Sequence, residues 1–478
     1  MTSFILKREG LLYRPMSEDG RNSDATVADL SEGTGLGPAN GRPARPRVAV
    51  AAHGCKLNQA EADAMSRQLA AAGLEVVPQS AEADLYVLNT CSVTHVADAK
   101  GRQWLGGARR RNPKARVIAT GCYATRAPEE VKALGSVDAV ALNRDKDRIV
   151  EVASELMLDW KREPVGPAIG VAGRSRAFVK IQDGCNQFCA FCVIPMTRGR
   201  ESNVPMDQVL PEIRARVEEG FKEVVITGPQ IGSYGQYPPT ADFRQNPESY
   251  DGLLHGLIER ILEETALRRL RVSSIQPQDV TPRLLEAFTS PRVCSHVHMA
   301  LQSGSDAVLK RMGRRYGVAQ FRESVHRFRE AIPDIAITTD VMVGFPGETR
   351  EEFEESYRFC REMALASMHV FPYSRRPGTR AYDFEGSVSD EEKRHRMGRM
   401  LALAEETGSG YRRSFIGKPL DVLWEEKVDL DESAYWSGLS GNYIRAYSAD
   451  EALAANEITR TVATGELSKG LLVRRAGP

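Results

Sequence analysis

Three cysteines fall within eight residues, Cys185, Cys189 and Cys192, in "GCNQFCAFC", two residues after the strand-like run "FVKI". The spacing is three residues, then two. No further Cys or His follows before His255 and Cys294. A structural zinc knuckle normally closes on four protein ligands, and this stretch supplies three. Three core cysteines meeting here by chance is the other ordinary reading. An iron–sulfur cube has four irons, so three thiolates would leave one iron without a protein ligand. An open position marks a reactive metal centre rather than a structural one. The fold must therefore present a loop of thiols at the end of a strand.

A second trio is spread along the chain. The strand-like runs "RVAVAAHGC", "ADLYVLNTC" and "ARVIATGC" end in Cys55, Cys91 and Cys122. Helical patterns such as "NQAEADAMSRQLAAAG" separate them. Strands alternating with helices imply a parallel α/β sheet, whose ligands gather beyond the carboxyl ends of the strands. That topology predicts all three thiols at one sheet edge. Cys294 and Cys360 belong to neither trio and read as small buried hydrophobes.

From Ala177 a longer series begins. Six candidate strands, "AFVKI", "EVVITG", "LRVSSI", "HVHMAL", "IAITTDVMVG" and "SMHVFPYS", alternate with helical segments. This predicts a β/α barrel or partial barrel with its site at the strand carboxyl ends. The charged helix "DEEKRHRMGRMLALAEETGSGYRR" closes it and reads as a solvated face. Beyond residue 411, short alternating runs with Gly turns predict a small all-β barrel of OB type. The fold class is thus α/β, with a small all-β barrel at the end. The expected division is a flexible Gly-, Ser- and Pro-rich extension over 1–46, domains over 47–165, 172–410 and 411–476, and a linker around 166–173.

Composition excludes little, but usefully. Lys and Arg number 64 against 64 Asp and Glu, so any nucleic acid must be held by local patches rather than a global basic field. No apolar run reaches the length of a membrane span, and the N-terminus lacks a signal-peptide core. A cytoplasmic location is expected, where cysteines serve as thiols or metal ligands rather than disulfides.

The first trio resembles the signature of the radical S-adenosylmethionine enzymes, with the aromatic Phe191 directly before the last cysteine. The resemblance implies an iron–sulfur cube whose open iron takes the amino and carboxylate groups of S-adenosylmethionine. One electron then cleaves the sulfonium, and the resulting 5′-deoxyadenosyl radical abstracts hydrogen from an unreactive C–H. It also points to cofactor contacts from "TGPQIGSYG" (Thr227, Gly228), "LQSGSD" (Gln302, Ser303) and "DVMVGFPGE" (Gly344). Where the superfamily has Gly-Gly-Glu, this chain has Thr227, Gly228, Pro229 and Gln230, which leaves backbone rather than side chain to hold the methionine amine.

With both trios, residues 47–475 resemble the methylthiotransferases, through "HGCKLNQAEAD", "LNTCSVTHVADAKGRQ", "TGCYA", "TTDVMVGFPGET" and "VFPYSRRPGT" as well. The C-terminal barrel resembles a TRAM domain. The resemblance implies two 4Fe-4S clusters, the second on Cys55, Cys91 and Cys122, with no catalytic side chain beyond the cluster ligands. It implies transfer of a methylthio group to C2 of N6-threonylcarbamoyladenosine at position 37 of tRNA, with an electron-donor protein as a further partner. The alternatives are the isopentenyladenosine and ribosomal-aspartate sister activities, and, in another class, an RNA-binding protein with a structural metal. Candidate RNA contacts are Arg412, Arg413, Trp436, Tyr443, Arg445, Arg474 and Arg475 in the barrel, and "ARRRNPKAR" (Ala108–Arg116).

Overall fold

The computed structural model describes residues 45–160, 175–236 and 252–477. The extension, apart from its last two residues, and the 166–173 linker lie outside the described residues. Pro46 onward packs as one compact unit.

The first sheet has the order β2-β1-β3-β4-β5 and is parallel throughout. Its strands are β1 (Arg47–Ala52), β2 (Glu75–Val77), β3 (Leu85–Thr90), β4 (Arg116–Thr120) and β5 (Ala139–Val140). β3 is buried along its whole length, as expected of a central strand covered on both faces. Helices α1 (Lys56–Ala71) and α2 (His95–Arg111) are among the elements covering it. Thr94 caps α2 by accepting from the Ala97 amide at 3.1 Å, a role for which Thr is well suited. Cys55, Cys91 and Cys122 follow the adjacent strands β1, β3 and β4, at the carboxyl edge.

All six strands expected of the central domain form. β6 (Arg176–Lys180), β9 (Glu223–Thr227) and β10 (Arg269–Val272) make one parallel segment, and β11 (Ser274–Ile275), β12 (His296–Met299), β13 (Ala336–Val343) and β14 (Ser367–Pro372) make the next. Only Ser273 separates β10 from β11. A short antiparallel pair, β7 (Gln182–Asp183) with β8 (Ser202–Asn203), brackets the Cys185–Cys192 loop. Alternate residues such as Val179, Ile226, Val272, Val297 and Val341 face the helices and form the main core. The opposite face carries Arg176, Glu223, Arg269, Arg271 and His296, all buried.

Polar residues on that inner face pair with one another and, in part, with other elements. Arg271 binds Glu223 at 2.7 Å and donates to the Ser440 and Gly441 carbonyls at 3.1 and 3.2 Å. The His296 ring stacks on Tyr443, with centroids 4.1 Å apart. Further along the same face, Ala60 of α1 packs against Phe178 and Val225. The partial barrel is thus plugged by a turn of the C-terminal domain and flanked by a helix of the first sheet. Cys294 sits against this network, its Sγ 3.9 Å from Glu223 Oε2, so its surroundings are ionic rather than apolar. Cys360 lies in the apolar core, as expected.

The C-terminal strands β15 (Pro419–Leu430), β16 (Ser433–Ser440), β17 (Arg445–Ser448), β18 (Ile458–Leu467) and β19 (Gly470–Arg475) close into a barrel of order β15-β16-β17-β19-β18. The preceding helix, Asp390–Arg413, is not wholly the solvated face its charges suggest. Arg396 is buried and pairs with Glu348 and Glu392, both at 2.8 Å.

Candidate active site between two cysteine loops

The N-terminal trio, Cys55, Cys91 and Cys122, is assembled by tight backbone approach. Gly54 has φ +95°, and a Cβ there would lie 2.5 Å from Cys91 Cβ and 2.7 Å from its Sγ. Gly121, at φ +94°, would place a Cβ 2.4 Å from both N and O of Thr90. Only glycine allows these loops to close so near each other. Asn58 of α1 ties them together, donating to the His53 and Thr90 carbonyls at 2.8 and 3.0 Å. Burial, reinforced by Cys55 and Cys122, pushes the Cys91 thiol up to about 12. Burial also raises Cys55, although this residue keeps an exposed rim.

The central trio, Cys185, Cys189 and Cys192, is held by backbone hydrogen bonds. Cys185 N donates to Gly199 O at 3.2 Å, Cys192 N to Cys189 O at 3.1 Å and Ala190 N to Met312 O at 2.8 Å. The Gln187 amide points at Cys185 Sγ, 3.5 Å away. Burial, then Cys189, lifts Cys192 to about 12, and burial lifts Cys185 to about 11. Thiols so placed keep their protons unless a metal takes them as thiolates. Among the described residues no three His, Cys, Asp or Glu side chains converge on a single ion. A cube binds each thiolate to a different iron, so its ligands surround a cluster. Two three-thiol sets, each part-buried, fit that donor chemistry.

A buried polar network joins the segments that carry the two trios. Arg198, six residues after Cys192, donates to Glu61 of α1 at 2.8 and 3.0 Å, to Asn58 at 2.7 Å and to Asp183 at 3.0 Å. Lys146 also pairs with Glu61. Burial alone would raise the Glu61 carboxyl; Lys146 and Arg198 instead hold it well below the usual range. Asn143 donates to Thr197 O at 2.8 Å and approaches Cys122 Sγ at 3.8 Å. Helix α3 (Gly121–Arg126) packs on Ile194–Thr197. At the far side Arg376, from "YSRRPGT", pairs with Asp98 of α2 at 2.6 Å. Sequence reasoning missed Glu61, Asn58, Asn143 and Arg198. Their one signal was Asn58 and Glu61 at positions i and i+3, where α1 should bury an apolar stripe.

The expected cofactor contacts lie in the cysteine loop and at or just beyond the carboxyl ends of the central strands. Phe191 meets Phe345 edge-on at 6.4 Å, with the Arg314 guanidinium 5.5 Å from its ring. Thr227 is buried at the end of β9 and accepts from Ile181 N at 3.0 Å. Gly228 abuts Gln182, where a Cβ would meet the Gln182 carbonyl at 2.7 Å. Gln302 adopts φ +72°, uncommon outside glycine, and its buried Oε1 has no partner. Ser303 is buried and accepts from Ser305 N at 3.2 Å. Gly344, at φ +72°, lies under Lys393, whose Cγ would be 2.4 Å from a Cβ; helix packing accounts for that glycine. Beside Thr227 and Gly228 runs an amide chain that the sequence did not reveal. Gln278 donates to Gln276 at 2.8 Å, Gln276 to Gln230 at 2.7 Å and Gln230 to Asp279 at 2.9 Å.

The barrel arginines expected to meet RNA are mostly engaged. Arg412 and Arg413 pair with Glu466, Arg445 with Glu425 and Arg475 with Asp450. Trp436 packs on the barrel core and lies 5.6 Å from the Lys427 ammonium. Arg474 is exposed. In "ARRRNPKAR", Arg109 pairs with Asp138 at 2.6 Å and Arg111 lies over Tyr86 and Trp104.

Two family models match the chain: the radical SAM superfamily over residues 179–360 and the uncharacterized family UPF0004 over 47–142. A threonylcarbamoyladenosine tRNA methylthiotransferase of Bacillus subtilis is 34% identical, covering 83% of this chain and 89% of that protein. One from Thermotoga maritima is 35% identical over 79% of this chain and 86% of its own. A tRNA-2-methylthio-N6-dimethylallyladenosine synthase of Desulfosudis oleivorans is 35% identical over 78% and 82%. Among solved structures, the radical S-adenosylmethionine methyltransferase TsrM of Kitasatospora setae shares the fold, with TM-score 0.52 and 13% identity over 71% of this chain and 74% of that one.

Proposed function

Because this chain belongs to the radical S-adenosylmethionine methylthiotransferases, enzymes that use a 4Fe-4S cluster and S-adenosylmethionine, we propose that it adds a methylthio group to C2 of N6-threonylcarbamoyladenosine at position 37 of tRNA. The observation that carries the proposal is the buried Arg198–Glu61 bridge between the elements that carry the two cysteine sets. Cys185, Cys189 and Cys192 would hold the cluster that meets S-adenosylmethionine, and Cys55, Cys91 and Cys122 a second. When bound, the first supplies reductive cleavage of S-adenosylmethionine and the second carries the sulfur to be transferred.

The protein's own residues then position and shield. Phe191 and Phe345 give the first cluster an apolar wall. The Thr227–Gly228 backbone, Gln302 and Ser303 would hold S-adenosylmethionine. The Arg198–Glu61 pair fixes the separation of the two loops, which sets how far sulfur must reach to the substrate carbon. The functional division would follow the domains at 47–165, 172–410 and 411–476. A tRNA substrate supports a cytoplasmic reaction, to which a separate protein would deliver electrons.

The amide chain at the mouth favours the threonylcarbamoyl group over the dimethylallyl group. Gln278 Oε1 is buried and has no partner, and a polar substituent would satisfy it. A site that offers hydrogen bonds rejects an apolar analogue strongly, because its own polar groups stay unpaired. Mass spectrometry of tRNA nucleosides from a strain lacking the gene tests the substrate. Loss of the methylthio group from threonylcarbamoyladenosine alone is expected. Its loss from isopentenyladenosine instead would assign the sister activity.

A further inference from the structure

Phe188 lies between the first two cysteines of the central loop. It is 40% exposed and holds φ +50°, a conformation bulky residues rarely adopt. Three arginines converge on this short loop. The Arg200 guanidinium sits 4.3 Å from the Phe188 ring centroid. Arg380 donates to Phe188 O at 3.1 Å and Arg315 to Asn186 O at 3.2 Å. All three are exposed, and none forms an ion pair among the described residues. This contrasts with the barrel arginines paired to Glu466, Glu425 and Asp450.

We propose that the Asn186–Phe188 loop, with Arg200, Arg315 and Arg380, is the docking face for the single-stranded tRNA loop that carries the substrate adenosine. This rests on the tRNA reading above and adds where the RNA is gripped. Single-stranded RNA is held by aromatic rings and guanidinium planes that stack on splayed bases, with cations on the neighbouring phosphates. An exposed ring against a guanidinium, flanked by two uncompensated cations, supplies both. An acidic protein partner would use the charge but not the ring, so RNA is favoured. The backbone conformation of Phe188, held by Arg380 at its carbonyl, keeps the ring at the surface beside the cluster loop.

The test is anisotropy binding of an anticodon stem-loop bearing N6-threonylcarbamoyladenosine, over a series of KCl concentrations, with iron content read for every variant. Phe188→Ala and Arg200→Gln are each expected to weaken binding about tenfold. Phe188→Trp should restore affinity. The slope of log Kd against log salt should fall by about 0.7 for each arginine removed. Arg200→Gln leaves the backbone bonds of the cysteine loop in place, so it decides the matter if Phe188→Ala loses iron. Unchanged affinity and slope in iron-replete Arg200→Gln and Arg315→Gln would overturn the proposal, and slower reduction by an acidic flavodoxin in those same variants would give the face to an electron donor. Failure of the unaltered protein to bind the stem-loop would instead overturn the tRNA reading itself.

Discussion

Glu61 balances two buried cations, Lys146 and Arg198. Removing one partner of a buried ion pair leaves uncompensated charge, at a cost of about 3–5 kcal/mol. Glu61→Gln should lower the stability measured by urea unfolding by that order, and should reduce iron retained in the N-terminal trio. Asp279 gives a pH signature. Burial raises its carboxyl to about 7. Between about pH 4 and 7 the folded protein keeps this proton while the unfolded chain has released it. The stability it contributes therefore falls as pH rises through that window and levels off above it. Asp279→Asn, which mimics the protonated acid, should match the parent near pH 4 and exceed it at pH 8 by on the order of 2–4 kcal/mol. A urea-unfolding series across pH checks this; equal pH profiles would contradict it. Neither residue stood out in the sequence. Glu61 and Arg198 are 137 positions apart, and a lone Glu on a helix reads as a solvated charge until its partners are placed.

At the level of elements, more could be read in advance. Each expected strand of both parallel sheets formed, because β-branched runs bounded by glycine and helical periodicity leave few alternatives. The gathering of Cys55, Cys91 and Cys122 at one edge followed from strand polarity alone. What periodicity does not carry is how closely two loops approach, and here glycine decides. Gly54→Ala would put a methyl group into Cys91, 2.5 Å from its Cβ. Reconstituted iron should drop from about eight to about four atoms per chain, with the central cluster intact. An iron and sulfide assay reads the result, and undiminished iron would show the loop can yield. The closing helix was legible in its limits but not in its burial, since Arg396 is drawn inward by Glu348.

At the level of the whole molecule, the C-terminal barrel has a second role that its sequence did not suggest. Its Gly441–Tyr443 turn plugs the inner face of the central sheet, so Tyr443 is a packing residue and not a free stacking platform. Tyr443→Ala should cost about 1–3 kcal/mol in unfolding free energy through the lost His296 stack and Arg271 contact. Affinity for the tRNA stem-loop should change less than twofold, against about tenfold for Phe188→Ala. The same integration joins the two trios: α1, α3 and the "YSRRPGT" segment bind the first sheet to the central domain at several buried points. The central claim is a division of labour between the two thiol sets, and it is most directly tested by reconstituted Cys91→Ala. Given dithionite, S-adenosylmethionine and threonylcarbamoyladenosine stem-loop under anaerobic conditions, this variant should still release 5′-deoxyadenosine and form no methylthio product, while the unaltered protein forms both. Thiomethylated RNA from Cys91→Ala, or loss of 5′-deoxyadenosine formation with the central cluster intact, would contradict the account.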